Sequence, residues 1–144
     1  MFRLFVIFLT ALALSACGHG DGTEPGGSGG NTSATTTIEP TLASIQDNLF
    51  TPTCGINGCH GSIASQAELR LVSGLSYSNL VNVPSSQFSG LVRVIPSDPN
   101  NSLIIKKLEG APNVGFQMPW GGPYLSQSTI DVIRQWIANG APNS

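Results

Sequence analysis

Cys54-Gly55-Ile56-Asn57-Gly58-Cys59-His60 is the stretch on which the reading of this 144-residue chain turns. It carries two thiols with four residues between them and an imidazole directly after the second. Three chemistries use such a grouping. The thiols can close a small disulfide loop beside an exposed histidine. Thiolate and imidazole can ligate zinc, although a structural zinc site takes four ligands and the chain supplies few further Cys or His. Thiols can also add across the two vinyl groups on one edge of a haem, which places the next residue to coordinate the iron. The usual spacing for that attachment is Cys-x-x-Cys-His, two residues shorter than the one here. Gly55 and Gly58 would let the extra residues bulge without steric penalty.

Toward the N-terminus, Arg3 gives a short positive start and Leu4 to Leu14 an apolar core too short for a membrane span. Residues 1–16 therefore read as a signal peptide. Leu14-Ser15-Ala16-Cys17 resembles a bacterial lipobox. That resemblance implies cleavage before Cys17, acylation of Cys17, and attachment to a membrane of the cell envelope through lipid. The alternative is an ordinary signal peptide with an incidental cysteine. Acyl chains would hold the protein firmly, at about 0.8 kcal/mol per buried CH2. With Cys17 assigned to lipid, Cys54 and Cys59 remain as a pair. An exported compartment permits a disulfide and is also where bacteria attach haem covalently, so compartment does not choose between them.

Residues 17–37 are rich in Gly, Ser and Thr, with no apolar period. They read as a flexible tether whose reach, for about 20 residues, is roughly 25 Å. His19, Asp21 and Glu24 are expected to be solvated there. Gly18 is not the aspartate associated with inner-membrane retention in enteric bacteria, which leans the expectation toward the outer membrane.

Residues 38–144 make one small domain. Charged residues are 10% of the chain, the net charge is −2 and no basic stripe is present, so nucleic acid is not an expected partner. The pattern predicts a mainly α fold of about three helices with long loops. The first helix is expected from Pro40 to Phe50, with Leu42, Ile45 and Leu49 on one face and Pro52 ending it. Leu69 to Val72 and Leu91 to Ile95 read as extended, with a helical turn possible at Ser76 to Leu80. Asp98 and Pro99 are expected to start a second helix ending at Gly110. The third has Ile130, Ile133, Trp136 and Ile137 on one face, Ser126 or Ser128 as cap, a Ser128–Asp131 capping box, and Gly140 as the stop.

After signal removal Met118 is the sole methionine. It lies in Gly115-Phe116-Gln117-Met118-Pro119-Trp120, flanked by Gly and Pro, rather than on a helix face where a gap-filling methionine belongs. From the residues alone, iron ligand and buried structural methionine both remain open.

Several of these segments together resemble the small class I-type cytochrome c domains, in particular the planctomycete type. They are the helix ending at Leu49-Phe50, Cys54 to Gly61 as C-x4-C-H-G, Val94 to Leu103, Met118-Pro119, and Leu125-Ser126 followed by Ile130 to Ala141. The match covers most of residues 40–142 and departs from the family in the four-residue gap. It implies a cytochrome c-like fold around one covalent haem c on Cys54 and Cys59. In that family the roles of proximal and distal iron ligand fall to the positions of His60 and Met118. It further implies an electron carrier with no catalytic residues, serving an unidentified redox partner. Arg134, Arg93, Arg70 and Tyr124 are candidates for the haem propionates, Trp120 and Trp136 for core aromatics against the ring, and Lys106-Lys107 for a solvated face. Two competing functions stand beside it: a disulfide-closed, lipid-anchored binding or structural module, and a haem enzyme or sensor without Met118 ligation.

Overall fold

Pro52 sits inside a helix, not beyond its end. The computed structural model describes residues 37–63 and 65–144. Helix α1 starts as Leu42–Ile45 and continues as the π-helix Gln46–Cys54. The Thr41 side chain caps it, accepting from the Ser44 N–H at 3.2 Å. The expected stop at Pro52 is thus corrected. Proline has no N–H to donate, and in an α-turn its ring meets the carbonyl four residues back. The wider i→i+5 ladder relieves that conflict. It ends with the Gly55 N–H on the Phe50 carbonyl at 2.6 Å, so the helix delivers the chain directly to Cys54.

Three further helices follow: α2 (Ser76–Leu80), α3 (Leu103–Glu109) and α4 (Gln127–Ala138), with a 3-10 turn at Gln66–Glu68. The described residues are mainly helical, with four α-helices where about three were expected. Among them there is no strand; the extended segments meet only in isolated bridges, Val81 with Val94 and Pro84 with Val92.

α3 begins later than the sequence suggests. Asp98 closes a separate turn, its carboxylate accepting from the Asn101 backbone N–H (3.2 Å) and side-chain amide (2.7 Å). The helix then starts after the buried Ser102, whose hydroxyl donates to the Asp98 carbonyl at 2.8 Å. In α4 the cap is Ser126, accepting from the Thr129 N–H at 3.2 Å. The Ser128–Asp131 box does not form; the Asp131 carboxylate accepts from the Gln127 amide instead.

The expected α4 face is buried: Ile130, Ile133, Trp136 and Ile137 join Leu42, Ile45, Leu49 and Phe50 of α1 in one core. Trp136 is fully buried, and its indole N–H donates to the Pro142 carbonyl at 3.0 Å. Each such aliphatic side chain contributes about 1.5–3 kcal/mol on burial. The exposed Arg134–Glu109 ion pair joining α4 to α3 at 2.8 Å contributes up to about 1 kcal/mol. Apolar packing therefore sets how these helices meet.

All described residues fall within one compact unit. The expected signal peptide (1–16), Cys17, His19 and all of the tether except Thr37 lie outside the described residues. Among those described, no helix is long and apolar enough to cross a membrane.

Candidate cofactor site

The loop from Cys54 to His60 closes on itself. The Cys59 N–H donates to the Ile56 carbonyl at 3.1 Å, making a turn with Gly58 at its third position and φ of +87°. Such a turn favours glycine there. The His60 N–H then donates to the Cys54 carbonyl at 3.0 Å. The four residues between the thiols are absorbed by this turn. Gly58 supplies the conformational freedom expected of it. Gly55 has an ordinary φ of −80° and is needed for space: a β-carbon there would run into the Leu71 carbonyl oxygen.

The segment after the loop folds back over it. Gln66 N–H donates to the Cys59 carbonyl and Leu71 N–H to the His60 carbonyl, each at 2.7 Å. This brings the Leu69 carbonyl oxygen to 3.2 Å from Nδ1 of His60. A carbonyl only accepts, so Nδ1 carries the proton and the neutral ring keeps its lone pair on Nε2. Burial lowers the pKa of His60. The backbone hydrogen bonds at Leu69 and Gln66 oppose that shift, and the positive charges of Arg93 and Lys107 add to it. The ring is therefore favoured in its neutral, ligating form.

Both cysteines are free thiols, Cys54 half-buried and Cys59 exposed. Burial, with a smaller contribution from the neighbouring Cys59 charge, pushes the Cys54 thiol up to about 11.

Met118 is half-buried against the core. Its N–H donates to the Lys107 carbonyl at 2.9 Å. The Lys107 ammonium donates to the carbonyls of Val114 (2.9 Å) and Phe116 (2.8 Å) and lies 5.6 Å from the centre of the Phe88 ring. Gln117 adds a bond from its amide to the Leu108 carbonyl at 2.8 Å. The Met118 loop is therefore strapped to α3. Lys107, expected on a solvated face, is the strap, and its charge also reaches His60.

Large apolar side chains stand exposed on both loops: Ile56 and Ile63 near the thiols, and Phe116, Trp120 and Tyr124 near Met118. Trp120 is 75% exposed, against its expected place in the core; Trp136 alone holds such a place. Phe116 and Trp120 lie with ring centres 6.5 Å apart. Of the arginines, Arg134 is engaged by Glu109 and Asn100. Arg93 is buried and donates to two backbone carbonyls. Sequence reasoning missed the Leu69 carbonyl, a backbone atom with no residue-type signal.

No three His, Cys, Asp or Glu side chains gather as a metal site among the described residues. A surface groove of about 440 Å³, lined by Leu42, Gln46, Asp47, Tyr77 and Ser144 among others, contains none of Cys54, Cys59, His60 and Met118. Imidazole, thiols and thioether are donor types that a covalent haem takes; Cys54, Cys59 and His60 are tied into one loop, and Met118 is held on the strap to α3. No known protein family, curated protein or solved structure matches the chain.

Proposed function

We propose that this chain is a monohaem c-type cytochrome of the small class I type, a one-electron carrier held to a bacterial envelope membrane by lipid on Cys17. The observation that carries the reading is the His60–Leu69 hydrogen bond, which fixes the imidazole tautomer beside two free thiols. Metal-ligating histidines characteristically donate their second ring nitrogen in this way.

The haem supplies an iron centre that exchanges single electrons. Cys54 and Cys59 would hold it through thioethers. His60 Nε2 and the Met118 sulfur would ligate its iron, and with both engaged no position would be left for a substrate. A neutral thioether and an apolar surround both favour the ferrous state and raise the potential. The exposed side chains of Ile56, Ile63, Phe116 and Trp120 would keep water from the ring. Residues 17–37 would give the head its reach to a redox partner protein.

The test is the spectrum of the mature protein made in a host equipped for cytochrome maturation. Expected are a pyridine haemochrome of the covalent c type, the weak far-red ferric band of a methionine–iron bond, and no binding of carbon monoxide. A colourless product overturns the reading in favour of the disulfide or binding module; carbon monoxide binding points to the enzyme or sensor.

A further inference from the structure

We infer that Arg93 is a positioning residue for His60: its guanidinium clamps the backbone kink that presents the Leu69 carbonyl to the imidazole. The inference concerns the geometry of the unloaded chain; its bearing on function rests on the reading of His60 as an iron ligand.

The kink is Ala67–Glu68. Both residues have positive φ, 57° and 54°, in the left-handed region that non-glycine residues seldom occupy. Two consecutive residues there persist only if the surroundings hold them. Arg93 supplies the hold. It is 7% exposed, and its Nη2 donates to the Ala67 carbonyl at 2.8 Å. Its Nη1 donates to the Asn79 carbonyl, also at 2.8 Å. The Asn79 side chain in turn accepts from the Arg70 N–H at 3.3 Å, just beyond Leu69. The residues on both sides of Leu69 are thus tied, directly or through Asn79, to one planar fork. The Ser86 hydroxyl adds a second donor to the Ala67 carbonyl at 2.9 Å.

The fork itself is fixed. Arg93 N–H donates to the Val83 carbonyl at 2.8 Å, and its neighbour Val94 is fully buried in the core. The nearest acidic influence on Arg93 is Glu68 of the kink itself, whose charge acts on the guanidinium while the guanidinium's hydrogen bonds go to backbone carbonyls. A buried guanidinium that spends its donors on carbonyls of two loops acts as a geometric brace. A lysine keeps the charge but not the two-pronged planar geometry.

The test uses the full chain, reduced and without haem, labelled with 15N at pH 8. Imidazole 15N–1H spectra report the tautomer, with His60 assigned by its loss in His60→Gln. In the wild type the His60 signals should show the Nδ1–H tautomer. In Arg93→Lys, folded as judged by circular dichroism, the Nε2–H form normal for histidine in water should grow several-fold. Arg93→Lys combined with Glu68→Gly should move back toward the wild-type spectrum, because glycine adopts the left-handed conformation freely. An unchanged tautomer in folded Arg93→Lys overturns the inference, as does an Nε2–H tautomer in the wild type. Should Arg93→Lys fail to fold, the wild-type guanidinium decides: slowly exchanging Nη protons with cross-peaks to Ala67 and Asn79 support the clamp, and averaged, fast-exchanging ones refute it. Haem loading is scored separately. A wild type with the restrained tautomer that takes up no haem removes the function proposed above and leaves the clamp standing.

Discussion

Nδ1 of His60 lies 3.2 Å from the Leu69 carbonyl oxygen, and this one contact divides the ring's nitrogens between two tasks. Nδ1 ties the ring to the protein, and in the proposed function Nε2 binds the iron. The backbone of His60 is held independently, by Cys54 and Leu71. His60→Ala should therefore leave the unloaded fold in place, at a cost of about 1–2 kcal/mol for the lost side-chain bond. In a maturation-competent host it should abolish normal low-spin haem incorporation. Urea midpoints and the visible spectrum check the two halves separately.

Gly55 and Gly58 should respond differently to alanine. At Gly55 the new methyl meets the Leu71 carbonyl, so backbone must shift and the loss should be several kcal/mol, as for other steric conflicts in packed regions. At Gly58 nothing lies within 4 Å of the added carbon, and the cost is that of φ = +87°, about 1 kcal/mol. Denaturant midpoints of the two variants should rank Gly55→Ala well below Gly58→Ala.

Lys107→Met should loosen the Met118 loop. The variant keeps most of the aliphatic stem and removes both ammonium hydrogen bonds to the loop carbonyls of Val114 and Phe116. A net loss of about 1–3 kcal/mol follows from two such bonds. Met118 should then be oxidised by hydrogen peroxide several-fold faster in the unloaded chain, read as sulfoxide by peptide mass spectrometry. In the loaded protein, Met118→Ala should leave haem attached and lower the reduction potential markedly.

α4 was legible because Ile130, Ile133, Trp136 and Ile137 repeat at helical spacing and all four are buried. The turn at Ser76–Leu80 was also found as read. The π-helix was not, because Pro52 ordinarily signals an end, and the widened ladder that admits it depends on Phe50 accepting from Gly55. Local sequence likewise made Asp98 the cap of the second helix, whereas it closes a turn with Asn101 ahead of that helix. Cys54, Cys59, His60 and Met118, the residues of the proposed site, stand out by residue type. Their supports were not: Lys107 looks like a surface charge until its partners seven and nine residues on are seen, and Arg93 acts on a carbonyl 26 residues away. Trp120 reads as core by type, yet stands exposed.

The two thiols should react in order. At pH 8 a Cys54 thiol with a pKa of about 11 is thiolate in about one molecule in a thousand, and burial hinders access as well. Iodoacetamide should therefore alkylate the exposed Cys59 first, with Cys54 at least about tenfold slower. The sign of the accompanying pH effect is fixed. The folded chain holds the Cys54 proton more tightly than the unfolded one, so stability is full below pH 9 and falls as pH rises from 9 toward about 11. The loss is up to about 3 kcal/mol and should disappear in Cys54→Ala.

The most direct measurement is peptide mass spectrometry of the mature protein exported from a host that attaches haem. Expected are one haem mass on the peptide spanning Cys54 to Cys59, joined through both sulfurs, and an acylated N-terminal Cys17. A peptide of that region lacking the haem mass, whether reduced or closed as a Cys54–Cys59 disulfide, would contradict it.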